Sequence, residues 1–426
     1  MKLNYKRTIL IGLAFLSISS FWQVYDSIIP LILKNTFLMG ETLAGFIMSL
    51  DNILALFLLP LFGTLSDKVS TRFGKRTPFI IFGTIASIIF MTFLPISDNL
   101  INFPMFIIFL LLTLVALSTY RSPAVALMPD LTPKPLRSKA NAIINLMGAL
   151  GGVFSLVLMA FFIPETGKPN YLTIFVPVSL LMAICVIVLV LTIKENKLNK
   201  EMQAYVWDDD EENNNNNDES TKMPKELFRS LLLILLSVAF WYMAYNGVTT
   251  AFSRYVQNYL GQSGGAFASN LLLATVVAVI TFIPAGLLGS KIGRRKTILI
   301  GVVIMFATFF VGSFYRSYSA TLNILFILIG MGWAMINVNS YPMVVEISKG
   351  SDIGKYTGYY YSFSMAAQVF TPILSGILLE HVGYHTLFPY ATFFMVLAFC
   401  TMFFVRHGEA KDSTDSKAFI DDMEDL

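Results

Sequence analysis

Long apolar stretches alternate with short polar segments along most of the chain. Each stretch runs for about 18 to 26 residues, which as a helix is enough to cross the roughly 30 Å hydrocarbon core of a bilayer. The stretches lack the alternation of apolar and polar residues found in strands of a membrane β-barrel. The sequence therefore predicts twelve transmembrane helices. Their approximate bounds are residues 8–33, 42–65, 77–97, 103–128, 140–163, 172–193, 227–252, 266–289, 297–315, 320–345, 355–380 and 384–405.

The composition agrees with a membrane protein. Of the 426 residues, 55% are hydrophobic and 13% are charged, and no water-soluble fold buries that much apolar surface. The first stretch follows Lys2, Lys6 and Arg7 but has no small-residue cleavage site, so we interpret it as a retained span. Cys185 and Cys400 both fall inside predicted spans, and no disulfide is expected.

Basic residues concentrate on one side of the predicted helices. Most of the 30 Lys and Arg residues fall in the two tails and in the loops on that same side. On the other side lie Lys34, Lys168, Arg254 and Arg316. By the positive-inside rule, we expect a multi-pass protein of the cell membrane with both termini in the cytoplasm. This bias explains the net charge of +3 without a nucleic-acid partner.

An acidic and asparagine-rich segment separates two sets of six predicted helices. Residues 208–212 are all Asp or Glu, and residues 213–217 are all Asn. Such a segment cannot bury a core, which favours a disordered cytoplasmic linker, with a regulatory binding site as the alternative. The predicted domains are an N-terminal six-helix bundle over residues 1–193, the linker over 194–226, a C-terminal six-helix bundle over 227–406 and an acidic cytoplasmic tail over 407–426.

Two short basic loops occupy equivalent places in the two halves, one after predicted helix 2 and one after predicted helix 8. Their shared pattern of glycines and bases indicates an internal repeat. The second loop has Ser290 where the first has an acid. The first contains Gly63, Asp67, Lys68, Arg72, Gly74, Lys75 and Arg76, and the second contains Gly286, Ser290, Lys291, Gly293, Arg294, Arg295 and Lys296.

With six helices on either side of a long linker, this loop pair resembles the major facilitator superfamily. The first loop is similar to its signature, Gly-x-x-x-Asp-Lys/Arg-x-Gly-Lys/Arg-Lys/Arg. Its expanded form, from Ser66 to Phe79, is similar to that of the sucrose and glycoside (glycoside-pentoside-hexuronide-like) cation symporters. The resemblance implies an all-α membrane protein with twelve helices in two pseudo-symmetric six-helix bundles. A second similarity to that branch lies in Ser122-Pro123, Ala126-Leu127, Asp130-Leu131 and Ala140-Asn141-Ala142.

In the superfamily these loops hold the two halves in one conformation, so the resemblance implies gating residues. Physically, a glycine lets helices approach closely, and an acid beside bases can form charge-assisted bonds in one conformation and release them in another. The alternative is a topology signal combined with helix capping. The implied gating set is Gly63, Asp67, Lys68, Arg72, Gly74 and Arg76, with Asp130, Arg137 and Glu346 as partner groups.

Three ionisable residues lie inside predicted spans, where a charge is costly and therefore indicates a function. Asp51 lies about 15 Å from the end of its helix, near the midplane, and Asp26 and Arg121 lie about 12 and 13 Å from opposite surfaces. Lost hydration disfavours a buried charged carboxylate, so either acid could carry a coupling proton while Arg121 balances it or binds solute oxygens. The alternatives are a structural Asp–Arg pair and, for Asp51 beside Asn52, a hydrogen-bonding node.

Polar aromatic and amide side chains accompany these charges. Sugar recognition needs flat apolar surfaces for the C–H face of the ring and paired donors and acceptors for its hydroxyl groups. In the superfamily, helices 1, 4, 7 and 10 line the central cavity, and most of the candidates fall there. For each single aromatic residue the alternative is ordinary packing or an interfacial anchor. The candidate substrate-binding residues are Trp22, Gln23, Tyr25, Tyr120, Trp241, Tyr245, Asn246, Asn337, Asn339, Tyr360 and Gln368.

The sequence gives little support for metal binding or for coupling to ATP hydrolysis. His381 and His385 have no third ligand nearby in sequence, so no metal site is expected, and no phosphate-binding loop suggests ATP coupling. We expect no enzyme activity and no cofactor. The prediction is a monomeric secondary active transporter that imports a sugar or glycoside, such as sucrose or maltose, with protons by alternating access. The alternatives are an exporter of drugs or metabolites, a sodium-coupled glycoside symporter, and a sensor that signals through the acidic linker.

Overall fold

The computed structural model describes residues 3–133, 136–200, 224–347 and 353–407. Within these ranges, twelve helices are long and apolar enough to cross a membrane, which confirms the predicted number of spans. Residues 201–223 of the predicted linker and 408–426 of the predicted tail lie outside the described residues. The helices are α1 Tyr5–Asn35, α2 Glu41–Lys68, α3 Thr77–Asn99, α4 Phe103–Asp130, α5 Arg137–Phe162, α6 Leu172–Thr192, α7 Lys225–Asn258, α8 Ala266–Ile292, α9 Arg294–Gly312, α10 Leu322–Ile347, α11 Ile353–His381 and α12 Leu387–Phe403.

Local sequence signals explain several helix ends. Asn4 begins α1 because its side-chain oxygen accepts a hydrogen bond from the Arg7 amide at 3.0 Å. Asn102 does the same for α4 by accepting from the Met105 amide at 3.0 Å. Helix α7 extends beyond its approximate predicted bound at residue 252, because it continues to Asn258 and includes Arg254. Hydropathy alone ended that helix early at a charged residue that the structure buries.

Helix contacts group the chain into two compact units. Unit 1 comprises the described residues of Met1–Met39, Leu50–Thr221 and Ser263–Ala268. Unit 2 comprises those of Gly40–Ser49, Lys222–Gln262 and Ser269–Leu426. The first turns of α2 therefore belong to unit 2, and the start of α8 belongs to unit 1. Because α2 and α8 are the second helices of their respective halves, this exchange follows the internal repeat.

Small residues bring helices into close contact within each unit. In unit 1, a Cβ atom on Gly151 of α5 would lie 2.1 Å from the Leu16 carbonyl oxygen of α1. The Ser155 hydroxyl on the same helix donates to the Ser20 carbonyl oxygen at 2.7 Å. In unit 2, a Cβ atom on Gly301 of α9 would lie 2.7 Å from the Gly332 carbonyl oxygen of α10. Such contacts hold membrane helices together where lipid offers no hydrophobic driving force.

The path of the chain defines two ends for each span. Since successive spans cross in opposite directions, α1 begins and α12 ends on the same side of the membrane. We call this the terminal side and the other the opposite side. The loops α2–α3 and α8–α9 lie on the terminal side, whereas the start of α2 and the end of α7 lie on the opposite side.

Candidate functional site

Unit 1 holds its three predicted intramembrane ionisable residues in one electrostatic cluster. Asp26 lies on α1, Asp51 on α2 and Arg121 on α4. The charge of Arg121 acts on both carboxylates, and the charge of Asp51 acts on Asp26. All three side chains are half-buried, so they are not sealed within the packed helices. The arrangement can exchange a proton while the arginine compensates the remaining negative charge.

Aromatic and amide groups surround this charged cluster. Asn52 donates to both oxygens of Asp51, at 2.8 and 2.9 Å. The Arg121 guanidinium lies over the Trp22 ring, 5.5 Å from its centroid, a geometry for a cation–π interaction. Tyr25 packs edge-on against Trp22 with ring centroids 5.3 Å apart, and the charges of both acids reach its hydroxyl. The cluster thus combines a cation, two acids and an aromatic face.

The indole N–H group of Trp22 is a hydrogen-bond donor beside the charged cluster. Its Nε1 atom is buried and has no hydrogen-bond partner among the described residues. A buried N–H group without an acceptor is costly, so a bound molecule that offers an oxygen would be favoured there. Sugar hydroxyls and carboxylates both provide such an acceptor.

Two other predicted residues of unit 1 take part in helix packing instead. Gln23 donates to the Ser27 hydroxyl at 3.2 Å, and its side-chain oxygen lies beside Gly152 of α5. Tyr120 is fully buried, and its hydroxyl donates to the Ala14 carbonyl oxygen at 2.9 Å. The structure therefore places Gln23 between α1 and α5, and Tyr120 between α4 and α1.

Unit 2 contains a cluster of aromatic side chains on α7, α10 and α11. Tyr245 stacks on Trp333 with centroids 3.9 Å apart and planes 6° from parallel, and Tyr242 meets the same indole edge-on at 5.3 Å. The Tyr242 hydroxyl is hydrogen-bonded to Tyr360, which is bonded in turn to the Ser340 hydroxyl at 2.9 Å. We call Tyr242, Tyr245, Trp333 and Tyr360 the aromatic cluster. It offers a flat apolar surface edged by hydroxyl groups.

Trp333 is missing from the sequence-based candidates. A signal was present, because it is one of only four Trp residues and precedes Asn337 by one helical turn. Asn246, which was predicted, follows Tyr245 directly on α7. Its side-chain Nδ2 group is buried without a hydrogen-bond partner within the described part of the chain. Unit 2, like unit 1, therefore has a buried donor that has no hydrogen-bond partner among the described residues.

The remaining candidates of unit 2 are either buried between packed helices or half-buried. Trp241 is fully buried in the helix core. Asn339 donates to the Ala285 carbonyl oxygen at 3.2 Å and to that of Met335 at 2.9 Å, which joins α10 to α8. Gln368 donates to the Ser364 carbonyl oxygen at 3.2 Å, and both it and Asn337 are half-buried.

The first basic loop forms an ion-pair cluster on the terminal side of unit 1. Arg76 is 5% exposed, and its Nε atom lies 2.9 Å from an Asp130 carboxylate oxygen. The same guanidinium contacts Asp67 and donates to the Gly63 carbonyl oxygen at 3.2 Å. Lys75 adds a second cation, with its Nζ atom 3.2 Å from Asp130. The structure thus brings three predicted gating residues, Gly63, Asp67 and Asp130, around a fourth, Arg76.

Other predicted gating residues of unit 1 lie at the edge of this cluster. Lys68 and Arg72 are exposed, and the Arg72 guanidinium lies 4.7 Å from the centroid of the Phe73 ring. Among the contacts of the described residues, Arg137 forms no ion pair with Asp130. It donates to the carbonyl oxygens of Pro129, at 2.9 Å, and Thr132, at 3.2 Å. Its position is that of a cap on the end of α4.

Glu195, just after α6, is a member of this cluster that the sequence analysis missed. It is fully buried, and its carboxylate accepts from the backbone amides of Lys75, Arg76 and Thr77 at 2.9, 3.0 and 2.9 Å. These are the unpaired N–H groups at the start of α3, where a negative charge is also favoured by the helix dipole. Gly74 is required beside it, because its φ is +121° and a Cβ atom would lie 2.2 Å from Glu195.

The second basic loop repeats part of this arrangement in unit 2. Arg294, at the start of α9, forms an ion pair with Glu346 at the end of α10. Gly293 has a φ of +99°, as Gly74 has a positive φ in the first loop. Ser290 donates to the Gly286 carbonyl oxygen at 3.2 Å in place of the acid of the first loop. The arginine at the helix start and the acid at the end of the neighbouring helix are thus common to both halves.

We expect Glu195→Ala to destabilise the protein by about 3 kcal/mol, because three amides at the start of α3 lose a charged acceptor. The apparent melting temperature of the detergent-solubilised protein should fall by several degrees in a thermal-unfolding assay. Glu165→Ala removes an exposed carboxylate from the same unit and should leave that temperature unchanged. An equal melting temperature for both variants would contradict the capping role of Glu195.

Comparison with known proteins identifies the family. Residues 10–386 match the family described as MFS/sugar transport protein. The chain belongs to this family. The resemblance to the major facilitator superfamily is therefore confirmed, and the protein is a multi-pass membrane protein of a sugar transporter family. No curated protein is significantly similar to it in sequence.

Solved structures show the same fold. The inward-open xylose transporter XylE from E. coli has a TM-score of 0.68 at 14% identity, over 97% of this chain and 98% of that one. A D-xylose-proton symporter has a TM-score of 0.69 at 15% identity, over 94% and 96%. A POT family transporter in complex with 5-aminolevulinic acid gives 0.68 at 11% identity, over 94% and 95%. These similarities confirm the predicted twelve-helix fold of the superfamily.

Proposed function

We propose that the protein is a proton-coupled symporter that imports a sugar or glycoside, with a sucrose- or maltose-like disaccharide as its substrate. The observation that carries this proposal is the cluster of Asp26, Asp51 and Arg121 inside the spans of a sugar transporter family member. Transport would proceed by alternating access, as is usual for secondary transporters with two repeated bundles.

The charged cluster supports coupling to protons. With both acids ionised, Arg121 compensates one of two negative charges. Uptake of one proton leaves one carboxylate paired with one guanidinium, a neutral set that costs less within the membrane. If the solute binds this set more tightly than the ionised one, proton and solute binding favour each other by the same factor. The D-xylose-proton symporter among the structures with this fold supports the choice of the proton over sodium.

The groups beside the cluster fit a sugar. The Arg121 guanidinium and the Trp22 indole N–H are donors for hydroxyl oxygens, and the indole face suits the C–H side of a pyranose ring. In unit 2, Trp333 with Tyr242 and Tyr245 provides a second such face, and Asn246 provides a donor. We propose Trp22, Tyr25 and Arg121 as the solute-binding residues of unit 1. For unit 2, we propose Tyr242, Tyr245, Asn246, Trp333 and Tyr360.

The terminal-side ion pairs would act as gates. Arg76 with Asp67 and Asp130 in unit 1, and Arg294 with Glu346 in unit 2, join helix ends that have to move when that side opens. The excess of basic residues on the terminal side supports a cytoplasmic position for both termini. These pairs would then close the cytoplasmic side.

Uptake of radiolabelled disaccharides into proteoliposomes tests the proposal directly. We expect accumulation of sucrose, maltose or a related glycoside when an inward proton gradient is imposed, and only equilibration with no gradient. An inward sodium gradient is the matched comparison, and accumulation with sodium alone would assign the coupling to that ion. Failure to take up any sugar under any gradient would contradict the proposal and favour export of another solute.

A further inference from the structure

One face of α10 extends from the aromatic cluster towards the terminal side. Trp333, Asn337 and Tyr341 are spaced by four residues, which places them on the same face of the helix. All three side chains are half-buried. Since α10 ends on the terminal side, Tyr341 lies about 12 Å closer to that side than Trp333 does. The face therefore continues beyond the aromatic cluster with an amide and then a second aromatic ring.

Tyr341 packs against tyrosines of α11 at this end of the face. Its ring centroid lies 5.5 Å from that of Tyr360 and 6.3 Å from that of Tyr361. The Tyr341 hydroxyl is hydrogen-bonded to the Thr357 hydroxyl, also on α11, at 3.0 Å. We call Tyr341 and Tyr361 the tyrosine pair. Because Tyr360 is itself a member of the aromatic cluster, the tyrosine pair adjoins that cluster directly.

The tyrosine pair differs from an interfacial anchor. A tyrosine that anchors a helix at the membrane surface directs its hydroxyl to the polar headgroups. The Tyr341 hydroxyl is instead bonded to a neighbouring helix, and its ring plane lies 36° from that of Tyr361. The Tyr361 side chain is 55% exposed, so much of its ring is not covered by protein. The pair therefore adds an accessible flat surface beside one that already suits a sugar.

We propose that the tyrosine pair, with the Asn337 amide, is a second saccharide subsite, which binds the additional ring of a trisaccharide whose other rings lie on the aromatic cluster. Aromatic surfaces suit the C–H faces of sugar rings, and an amide supplies both a donor and an acceptor for the hydroxyl groups between them. The distance of about 12 Å between Trp333 and Tyr341 along α10 exceeds a single sugar ring, so a longer sugar is needed to reach both. The inference rests on the proposed function, because it requires that the aromatic cluster binds sugar.

Equilibrium binding of matched sugars to the detergent-solubilised protein tests the inference. Isothermal titration calorimetry compares maltose with maltotriose and sucrose with raffinose, since each trisaccharide adds one ring to its disaccharide. For the pair whose disaccharide binds, we expect the trisaccharide to bind about tenfold more tightly, because one more ring packs on an aromatic side chain. Tyr361→Ala should remove this difference and leave the Kd of the disaccharide unchanged.

Tyr359→Ala is the matched control. Tyr359 is 41% exposed and lies two residues from Tyr361, hence on a different face of α11, where its ring contacts Tyr356. This variant should keep the tenfold difference, and so should Tyr361→Phe, which keeps a flat ring. Tyr361→Leu keeps apolar bulk without a flat ring and should lose the difference. It takes the place of Tyr361→Ala if size-exclusion chromatography shows that the alanine variant does not fold.

The outcomes separate this inference from the proposed function. A trisaccharide that binds the unchanged protein no more tightly than its disaccharide would overturn the inference, as would a difference that survives in Tyr361→Ala. An equal loss in Tyr359→Ala would also overturn it. In each of these results the disaccharide still binds, so the proposed function stands. Failure of all four sugars to bind would instead contradict the proposed function, and the inference with it.

Discussion

Asp51→Asn is expected to reduce proton-driven accumulation of labelled sugar to a ratio of about one, while exchange of sugar across the membrane continues. The amide keeps the size of the carboxylate and can still bond with Asn52, but it cannot bind a proton at neutral pH. Asp26 and Arg121 remain as a balanced pair, which preserves a solute-binding set of constant charge. Loss of uphill transport without loss of exchange is the signature of a missing coupling site.

The measurement is paired uptake in proteoliposomes, with an inward proton gradient for accumulation and equal sugar concentrations for exchange. Asp26→Asn is measured in parallel, because either acid is a candidate proton carrier. Glu226→Gln is the control, since it neutralises an exposed carboxylate at the start of α7 outside the cluster. Full accumulation by both the Asp51 and the Asp26 variant would rule out proton coupling through these acids.

Trp333→Ala is expected to raise the KM for sugar about 30-fold, since an aromatic contact and its buried apolar area together contribute roughly 2 kcal/mol. The indole is the centre of the aromatic cluster, with Tyr245 stacked on it and Tyr242 at its edge. Its removal takes away a flat surface and also leaves both tyrosines without their packing partner. Proton coupling should persist, because the charged cluster of unit 1 is untouched.

Initial rates of uptake over a range of sugar concentrations measure this effect. Trp333→Phe keeps a flat ring and should show a much smaller rise in KM. Phe314→Ala removes a 67% exposed ring near the end of α9 and should change neither KM nor the maximal rate. If the KM of Trp333→Ala equals that of the unchanged protein, the aromatic cluster does not take part in substrate binding.

The sequence by itself determined the number of spans and the charged cluster. Both are local properties of the sequence. A span has to be a continuous apolar stretch, and a charged residue within it is energetically costly and therefore rare. Asp26, Asp51 and Arg121 were visible for this reason, and the structure brings their charges together. The paired basic loops were visible because the repeat places the same glycines and bases in both halves.

The partners of these residues were not visible in the sequence. Glu195 reaches the Lys75 amide from 120 positions away, and Arg254 is neutralised by Glu41 from 213 positions away. Arg254 was therefore assigned to a loop, since an unpaired charge would end a span. Trp333 lacked any charge to mark it. Its rarity and its place one turn before Asn337 were weaker signals than its stacking on Tyr245 in the structure.

What tertiary structure decided is which helices share each packing interface. The first turns of α2 join unit 2 and the start of α8 joins unit 1, although hydropathy assigns each helix to its own half. The physical reason is that insertion into a bilayer depends only on the length and polarity of a single segment. The close approach of Gly45 to Pro372 and the pairing of Glu41 with Arg254 instead require two segments that are distant in sequence to come into contact.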